Sequence, residues 1–176
     1  MKQINIRYAT RQDFQFIVDC QLNMACETEG LELDREIVTP GVEAVFDDPL
    51  KGFYIVGEEI DNNADVTGHS EFATQAGTTV DATKRLCSCL MITPEWSDWR
   101  NNKVWWIQSV YVLPKYRESG VFRMMYSFIK SLVSERQDVA GIRLYVDNTN
   151  LRARDVYKRI GMTDEHYRVF EWMKGY

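Results

Sequence analysis

The most apolar segment of the chain is Val-Trp-Trp-Ile-Gln-Ser-Val-Tyr-Val-Leu, which covers residues 104–113 and ends at Pro114. Apolar side chains occur at consecutive positions rather than at every second one. A run of this kind is typical of a central strand that is covered on both faces, because neither face of such a strand meets water. The sequence therefore predicts a sheet with this segment at its centre and with other elements packed on both sides.

The segments before this run predict a strand and two helices. Ile4 and Ile6 alternate with polar residues, as in a strand. Thr10 begins the sequence Thr-Arg-Gln-Asp, an acidic variant of the capping box, and apolar residues at helical spacing follow it. A second helix is predicted from Thr39, with Pro40 in the first turn, where the missing N–H costs nothing.

Shorter patterns predict the remaining strands and helices. Residues 52–59 and 86–93 have strand composition, and apolar residues from Val121 to Leu132 recur at steps of four, three and four. Ile142, Leu144 and Val146 alternate as a strand, a helix follows that ends at Gly161, and a final strand pair is predicted within residues 165–173. With no internal repeat and no linker, these elements predict one mixed α/β domain over residues 1–176.

Residues 61–84 show almost no apolar periodicity. A connection of this length without structure is uncommon in a small domain. Three interpretations stay open for it: a functional loop, a hairpin extension and a disordered segment.

Charge and cysteine content restrict the classes of partner. Acidic residues outnumber Lys and Arg by 26 to 21, for a formal net charge of -5, which argues against a nucleic-acid partner held by phosphate contacts. A cationic small molecule or peptide is easier to accommodate. The spacing of the four cysteines does not match a zinc site, so free thiols are expected, with Cys87 and Cys89 on one face of a strand.

The N-terminus enters the first strand directly, with no basic and then apolar signal segment, and no apolar run has membrane-spanning length. The sequence therefore predicts a cytoplasmic protein with no membrane contact.

The segment from Val110 to Phe122 runs from the end of the central strand through a turn into a helix. Backbone N–H groups at a helix N-terminus are unpaired and carry the positive end of the helix dipole, which makes the turn suitable for a pyrophosphate. Gly120 lets the backbone approach such a ligand closely, because glycine lacks a Cβ and tolerates positive φ.

This turn resembles the central motif of the GNAT acetyltransferases, written Arg or Gln, two residues, Gly, one residue, then Gly or Ala. Here it reads Arg117-Glu118-Ser119-Gly120-Val121-Phe122, and Phe122 departs from the pattern. A second stretch from Asn150 to Met162 resembles the following motif of that family, Asn-x-x-Ala-x-x-x-Tyr-x-x-x-Gly-Phe, with Met162 in place of the usual aromatic residue. The opening Ile-Arg-Tyr-Ala-Thr is similar to the family's first strand, so the resemblance covers nearly the whole chain except residues 61–84.

The resemblance implies a fold and a set of roles. The fold would be a mixed, mostly antiparallel, twisted sheet of six to seven strands flanked by about four helices, and acetyl-CoA would be the acetyl donor, with no metal. The backbone of Val110, Tyr111 and Val112 would pair with the pantetheine arm, and Asn150 and Ala153 would contact the cofactor or help to place the arm. The residues that would cradle the pyrophosphate are Arg117, Glu118, Ser119, Gly120, Val121 and Phe122. Tyr157 would stand near the thioester sulfur as general acid, although a core tyrosine with a satisfied hydroxyl group would show the same pattern.

The candidate substrate-binding residues are Glu95, Trp96, Asp98 and Gln108. Glu95 and Asp98 are predicted to lie in a loop between the third and fourth strands, flanked by Trp96 and Trp99. Carboxylates beside indole faces suit a cationic ligand, but two tryptophans in a turn also serve as packing. Gln108 either positions a water molecule or satisfies a buried backbone group.

The sequence leaves three candidate functions open. The first is an N-acetyltransferase in which the amine of a small molecule or peptide attacks acetyl-CoA directly; polyamines, amino acids, antibiotics and protein termini all stay open as acceptors. The second is a GNAT-like module that binds CoA or a protein partner without efficient turnover, and the third is an unrelated phosphate-binding protein. Pairing of residues 167–173 between two copies offers a route to a homodimer.

Overall fold

The structure, a computed structural model, describes residues 3–60 and 84–174. The predicted insertion at residues 61–84 lies outside the described residues except for its last position. The described chain forms five strands: β1 (Gln3–Tyr8), β2 (Phe53–Ile60), β3 (Lys84–Ser97), β4 (Asn102–Val112) and β5 (Val139–Leu144). It also forms four α-helices: α1 (Phe14–Glu29), α2 (Arg35–Asp47), α3 (Val121–Ser134) and α4 (Leu151–Arg159).

The strands lie side by side in chain order, β1-β2-β3-β4-β5. The pairs β1·β2, β2·β3 and β3·β4 are antiparallel, whereas β5 runs parallel to β4. The parallel step is possible because α3 lies between β4 and β5 in the chain and supplies the crossover connection that parallel neighbours require. The predicted mixed, mostly antiparallel sheet with four helices is therefore confirmed.

The predicted number of strands was wrong. The described residues form five strands rather than six to seven, because residues 165–173 have strand composition but no partner strand. Phe170 and Trp172 in this segment are 94% and 85% exposed. Composition can favour extended backbone, but only a hydrogen-bonded neighbour makes a strand.

Each face of the sheet carries its own apolar core, as expected for a central strand that is buried on both sides. On one face, α1 and α2 cover a cluster that includes Ile17, Val42 and Tyr111. On the other face, α3 covers a cluster that includes Trp105 and Met125.

Two predicted boundaries were wrong. The helix predicted from Thr39 begins at Arg35, because the side chain of Asp34 accepts a hydrogen bond from the Glu36 N–H (2.8 Å) and caps the helix earlier. The residues after Thr93, predicted as a loop, belong to β3 as far as Ser97. Pro94 is tolerated there because β2 starts opposite Ile92, so that β3 has a free edge beyond this point.

A β-bulge places Cys87 and Cys89 in different cores, contrary to the prediction that they share a face. Gly57 pairs with Ser88 while Glu58 pairs with Leu86, so Cys87 is an extra residue on β3. A bulge of one residue reverses the alternation of side chains. Cys87 therefore packs under α3 and Cys89 under α1 and α2.

Salt bridges between charged side chains connect the start of α1 to the sheet. The Arg7 guanidinium donates to both oxygens of Asp13 (2.7 and 2.9 Å) and to Glu58 (2.9 Å). Asp13 also accepts from the Thr10 N–H (2.7 Å), the contact that the capping-box pattern predicts. Burial alone would raise the pKa of Asp13, but the hydrogen bonds from Arg7 and Thr10 outweigh burial and lower this pKa.

Candidate functional site

The sheet opens between β4 and β5. The two strands pair from Lys103 opposite Val139 to Ile107 opposite Leu144. β4 then continues to Val112, whereas β5 ends at Leu144. Among the described residues, β4 beyond Ile107 is paired with β3 alone, so its other edge is open to a ligand.

A β-bulge marks the place where this opening begins. Met91 of β3 pairs with Ser109 of β4, and the next residue, Ile92, pairs with Ile107. Gln108 is thus the extra residue on β4. Bulges bend a strand and redirect its side chains, so the bulge turns the far end of β4 away from β5.

The polar backbone groups of Val110 and Val112 face the open edge. The Leu113 N–H donates to the Cys87 carbonyl oxygen of β3 (2.9 Å). In an antiparallel pair, alternate residues direct their N–H and C=O groups to the same neighbour. Tyr111 therefore faces β3 with Leu113, while Val110 and Val112 face the gap. The Val112 carbonyl accepts from Arg117, and the N–H of Val112 and both polar backbone groups of Val110 can pair with an extended ligand.

The open edge leads directly to the start of α3. Gly120 has φ +86°, and a Cβ built on it would meet nothing within 4 Å. The Met124 N–H donates to the Gly120 carbonyl (3.1 Å), so the N–H groups of Val121, Phe122 and Arg123 precede the first helical hydrogen bond. These unpaired donors, with the helix dipole behind them, favour an anion in the open space over Gly120.

Arg117 joins three elements around this opening. Its Nε donates to the Val112 carbonyl (2.9 Å), and its Nη2 donates to Glu27 at the end of α1 (2.5 Å). The Tyr111 hydroxyl donates to the other oxygen of Glu27 (2.5 Å). The hydrogen bonds from Tyr111 and Arg117 lower the pKa of Glu27, and burial together with the Glu27 carboxylate raises the pKa of Tyr111 to about 12.

The two motifs found in the sequence meet across the start of α3. Glu118 accepts a hydrogen bond from Arg152 (2.8 Å), and the ring of Phe122 stands edge-on to the ring of Tyr157, with centroids 5.5 Å apart. Burial raises the pKa of Tyr157, so its phenol is protonated at neutral pH. The Asn150 side chain caps α4 by accepting from the Ala153 N–H (3.0 Å), a local role that holds the helix carrying Tyr157.

Glu95 belongs to a cluster on the α1 and α2 face of the sheet. Trp106 donates through Nε1 to one oxygen of Glu95 (2.5 Å), and Arg143 donates to the other (3.0 Å). The Arg143 guanidinium lies over the Trp106 ring at 5.6 Å and over the Tyr167 ring at 5.5 Å.

Gln108 continues this cluster to the point where β4 and β5 separate. Its amide nitrogen donates to Thr93 (2.6 Å), and its carbonyl oxygen accepts from the Tyr145 hydroxyl (2.8 Å). Tyr145 also packs against Trp106, with ring centroids 5.0 Å apart. Side chains from β3, β4 and the end of β5 therefore form one hydrogen-bonded surface beside the gap.

The other predicted substrate residues lie apart from this surface. Trp96 follows Glu95 directly on β3 and so projects from the opposite face. Asp98 accepts a hydrogen bond from the Trp99 N–H (2.8 Å) and stabilises the turn between β3 and β4. Trp96 and Trp99 are 62% and 88% exposed, so neither packs into a core.

Sequence reasoning missed Glu27, Trp106, Arg143 and Tyr145. Each joins the site through a partner far away in the chain, such as Arg143 with Glu95 or Glu27 with Arg117. Glu27 lies on a helix, and the other three lie in or next to strands whose pattern is explained by packing alone. The register of β3, β4 and β5 brings the polar atoms of these three together. The packing of α1 on the sheet brings Glu27 to Tyr111 and Arg117.

Solved structures with the same architecture identify the class of protein. A possible acetyltransferase from Clostridium difficile 630 is 34% identical, with a TM-score of 0.78 over 98% of this chain and 99% of that one. An aminoglycoside N-acetyltransferase, AAC(6')-Iy, solved in complex with CoA, is 9% identical, with a TM-score of 0.70 over 99% and 97% of the two chains. The chain therefore has the fold of these acetyltransferases.

The family follows from the sequence itself. The model of the Acetyltransferase (GNAT) family matches residues 42–162. The chain belongs to the GNAT family, as its two motifs indicated.

One further solved structure has low sequence identity and shows only that the fold is shared. A ribosomal-protein-alanine N-acetyltransferase from Brucella melitensis biovar Abortus 2308 is 10% identical, with a TM-score of 0.65 over 97% and 100% of the two chains. A search of curated proteins found no match. Within residues 3–60 and 84–174, no helix is long and apolar enough to cross a membrane.

Proposed function

We propose that the protein is an N-acetyltransferase that moves the acetyl group of acetyl-CoA to an amine by direct attack. The observation that carries this proposal is the continuity of two ligand-binding features. The open edge at Val110 and Val112 suits an extended pantetheine arm, and the start of α3 at Gly120 suits the pyrophosphate at the end of that arm.

In this proposal the residues predicted from the family motif keep their roles, with one refinement. The N–H groups of Val121 and Phe122 bind the pyrophosphate through the backbone, whereas the Arg117 side chain positions the end of β4 through Val112 and Glu27. Arg117 therefore acts mainly as a positioning residue.

Tyr157 supplies the proton for the leaving group. The ammonium group of the acceptor first loses a proton to water, and the neutral amine forms a bond to the acetyl carbon. The C–S bond then breaks, and the nitrogen releases a second proton to solvent as the amide forms. The CoA sulfur then takes the phenolic proton of Tyr157, which is regained from solvent. Burial raises the pKa of Tyr157, so the phenol carries its proton at neutral pH and is present as the acid when the thiolate forms.

The acceptor approaches from the α1 and α2 face, where Gln108 and Tyr145 lie at the start of the gap. Their hydrogen bond (2.8 Å) fixes both side chains beside the position of the thioester. Holding the amine next to the acetyl carbon supplies the proximity that a direct transfer requires.

A second candidate function is a CoA-binding or protein-interaction module with weak turnover. The exposed indoles of Trp96 and Trp99 favour it, because large exposed aromatic side chains are common at protein contacts. One experiment separates the two: release of free CoA thiol from acetyl-CoA is followed with a panel of amines. Amine-dependent release that is lost in Tyr157→Phe supports the enzyme, whereas CoA binding without release for any amine supports the module.

A further inference from the structure

The cluster around Glu95 carries an inference about the acceptor, and this inference rests on the proposed function. Glu95 alone would favour a cationic ligand. In the structure, however, Arg143 donates to Glu95 and neutralises it. Together with the uncharged side chains of Trp106, Gln108 and Tyr145, the cluster has no net charge, so it offers little attraction to a polycation.

Arg143 is held in place with most of its donors unused. A guanidinium group has five N–H donors. With the described residues, this guanidinium forms one hydrogen bond, to Glu95. The rings of Trp106 and Tyr167 lie against it at 5.6 and 5.5 Å and limit its movement. A fixed guanidinium with free donors is suited to a carboxylate, which it can bind through two parallel hydrogen bonds.

The separation between Arg143 and Gln108 indicates how long the acceptor must be. Glu95 is hydrogen-bonded to Arg143, and Thr93 is hydrogen-bonded to Gln108. Glu95 and Thr93 are two residues apart on β3. Residues two apart on one strand face are separated by about 7 Å. A ligand with its amine beside Gln108 therefore reaches Arg143 with a group at the far end of a short chain.

We infer that the acceptor is a primary amine with a carboxylate at the far end of a short chain, and that Arg143 binds this carboxylate. The amine nitrogen takes the acetyl group and the CoA sulfur takes a proton, as in the proposed reaction. The carboxylate takes no part in bond making, so Arg143 determines specificity rather than acting as a catalytic residue.

The test uses three acceptors of the same chain length that differ only in the charge at the far end: 6-aminohexanoate, n-hexylamine and 1,6-diaminohexane. Glycine is added as a short amino acid whose carboxylate does not reach Arg143. The measured quantity is kcat/KM for each acceptor at saturating acetyl-CoA. We expect 6-aminohexanoate to exceed hexylamine by about tenfold or more, since hydrogen bonds to a charged group have this effect, and to exceed glycine and the diamine as well.

Two variants connect the preference to the side chains. Arg143→Met retains the length of the side chain but removes the charge, and it should bring the ratio of 6-aminohexanoate to hexylamine to one or below, because Glu95 then keeps its negative charge. Glu95→Gln removes the competing carboxylate and should increase this ratio. Binding of 6-aminohexanoate, followed by quenching of tryptophan fluorescence, should weaken in Arg143→Met and strengthen in Glu95→Gln.

Failure of this inference can be told apart from failure of the proposed function. If CoA binds and the wild type prefers the diamine, shows no preference, or acetylates none of the four amines, the carboxylate assignment is overturned while the cofactor site stands. An unchanged ratio in Arg143→Met also overturns it. Absence of CoA binding contradicts the proposed function itself.

Discussion

The ring of Phe122 at the start of α3 meets the ring of Tyr157 on α4 edge-on, with centroids 5.5 Å apart and planes at 65°. Phe122 occupies the position where the family motif has Gly or Ala. A small residue there would make no such contact, whereas the Phe122 ring packs against Tyr157. Phe122 also stacks on Tyr126 at 6.4 Å. Its side chain thus points toward α4 and the core, while its backbone N–H remains at the helix start.

Replacing Phe122 with Ala should cost stability and leave CoA binding almost unchanged. The side chain is half-buried, so we expect a loss of about 2 kcal/mol in the free energy of unfolding, less than for a fully buried ring. Denaturant unfolding measures this loss, and calorimetry measures the affinity for CoA. A large gain in CoA affinity would instead mean that the ring obstructs the pyrophosphate position.

Replacing Tyr157 with Phe should lower kcat about 100-fold, because the leaving sulfur loses its proton donor. The affinity for CoA should not change. The control is Tyr126→Phe: burial raises the pKa of Tyr126 too, but Tyr126 lies on α3 and has a packing role, so this variant should keep the wild-type rate. Equal rates in Tyr157→Phe and Tyr126→Phe at saturating acetyl-CoA would remove Tyr157 from the mechanism.

The pH dependence follows from the same phenol. Burial raises the pKa of Tyr157 above its ordinary value of 10.0, and an acid is lost only when the pH rises through its pKa. The kcat profile should therefore show no alkaline fall from this group below pH 10. A fall between neutral pH and 9 that disappears in Tyr157→Phe would contradict the assignment.

Replacing Tyr145 with Phe should raise KM for the acceptor about fivefold, the effect of one lost hydrogen bond. The Tyr145 hydroxyl links the end of β5 to Gln108 on β4 (2.8 Å), and this link borders the acceptor side of the gap. Tyr8→Phe is a suitable control, because Tyr8 is 45% exposed and Tyr145 is 49% exposed. If Tyr145→Phe changes the affinity for CoA and leaves the acceptor KM alone, the pair belongs to the cofactor site.

The sequence was most informative where a local pattern has a local cause. The helix start at Gly120, the end of α4 at Gly161 and the reach of Asp13 back to Thr10 all depend on neighbouring residues, and all three are confirmed. The continuous apolar run of residues 104–113 predicted a strand covered on both faces, and β4 is such a strand. The middle strand of the sheet, however, is β3, and β4 lies between β3 and β5.

The rest depends on register, which no local pattern contains. The bulges at Cys87 and Gln108 each insert one residue and exchange the faces of the residues beyond them. For the same reason Glu95 could be identified as a candidate, while its partner Arg143, 48 residues away, could not. The absent C-terminal strands show the same dependence, since residues 165–173 have no partner strand within the described chain.

The network of Arg7 and Asp13 predicts an acid-sensitive contribution to stability. The folded state lowers the pKa of Asp13 below its ordinary 3.8, so this contribution is present above that pH and is lost as the pH falls through the lower, folded value. Asp13→Asn should cost about 2 kcal/mol at neutral pH, and the difference from wild type should shrink below about pH 4. Asp48→Asn is the control, because Asp48 also has a lowered pKa but lies exposed. A difference that stays constant down to pH 2 would show that charge has no part in it.

The central claim, that CoA binds along β4 with its pyrophosphate over Gly120, is tested most directly by calorimetric titration of CoA into three proteins. They are the wild type, Gly120→Glu and the matched control Gly161→Glu. Both glycines have φ near +90°, and at both a Cβ would meet nothing within 4 Å, so the two variants carry similar backbone strain. Only Gly120→Glu places a carboxylate over the start of α3. We predict micromolar binding to the wild type and to Gly161→Glu, and none to Gly120→Glu; equal binding to all three, or binding to none, would contradict the claim.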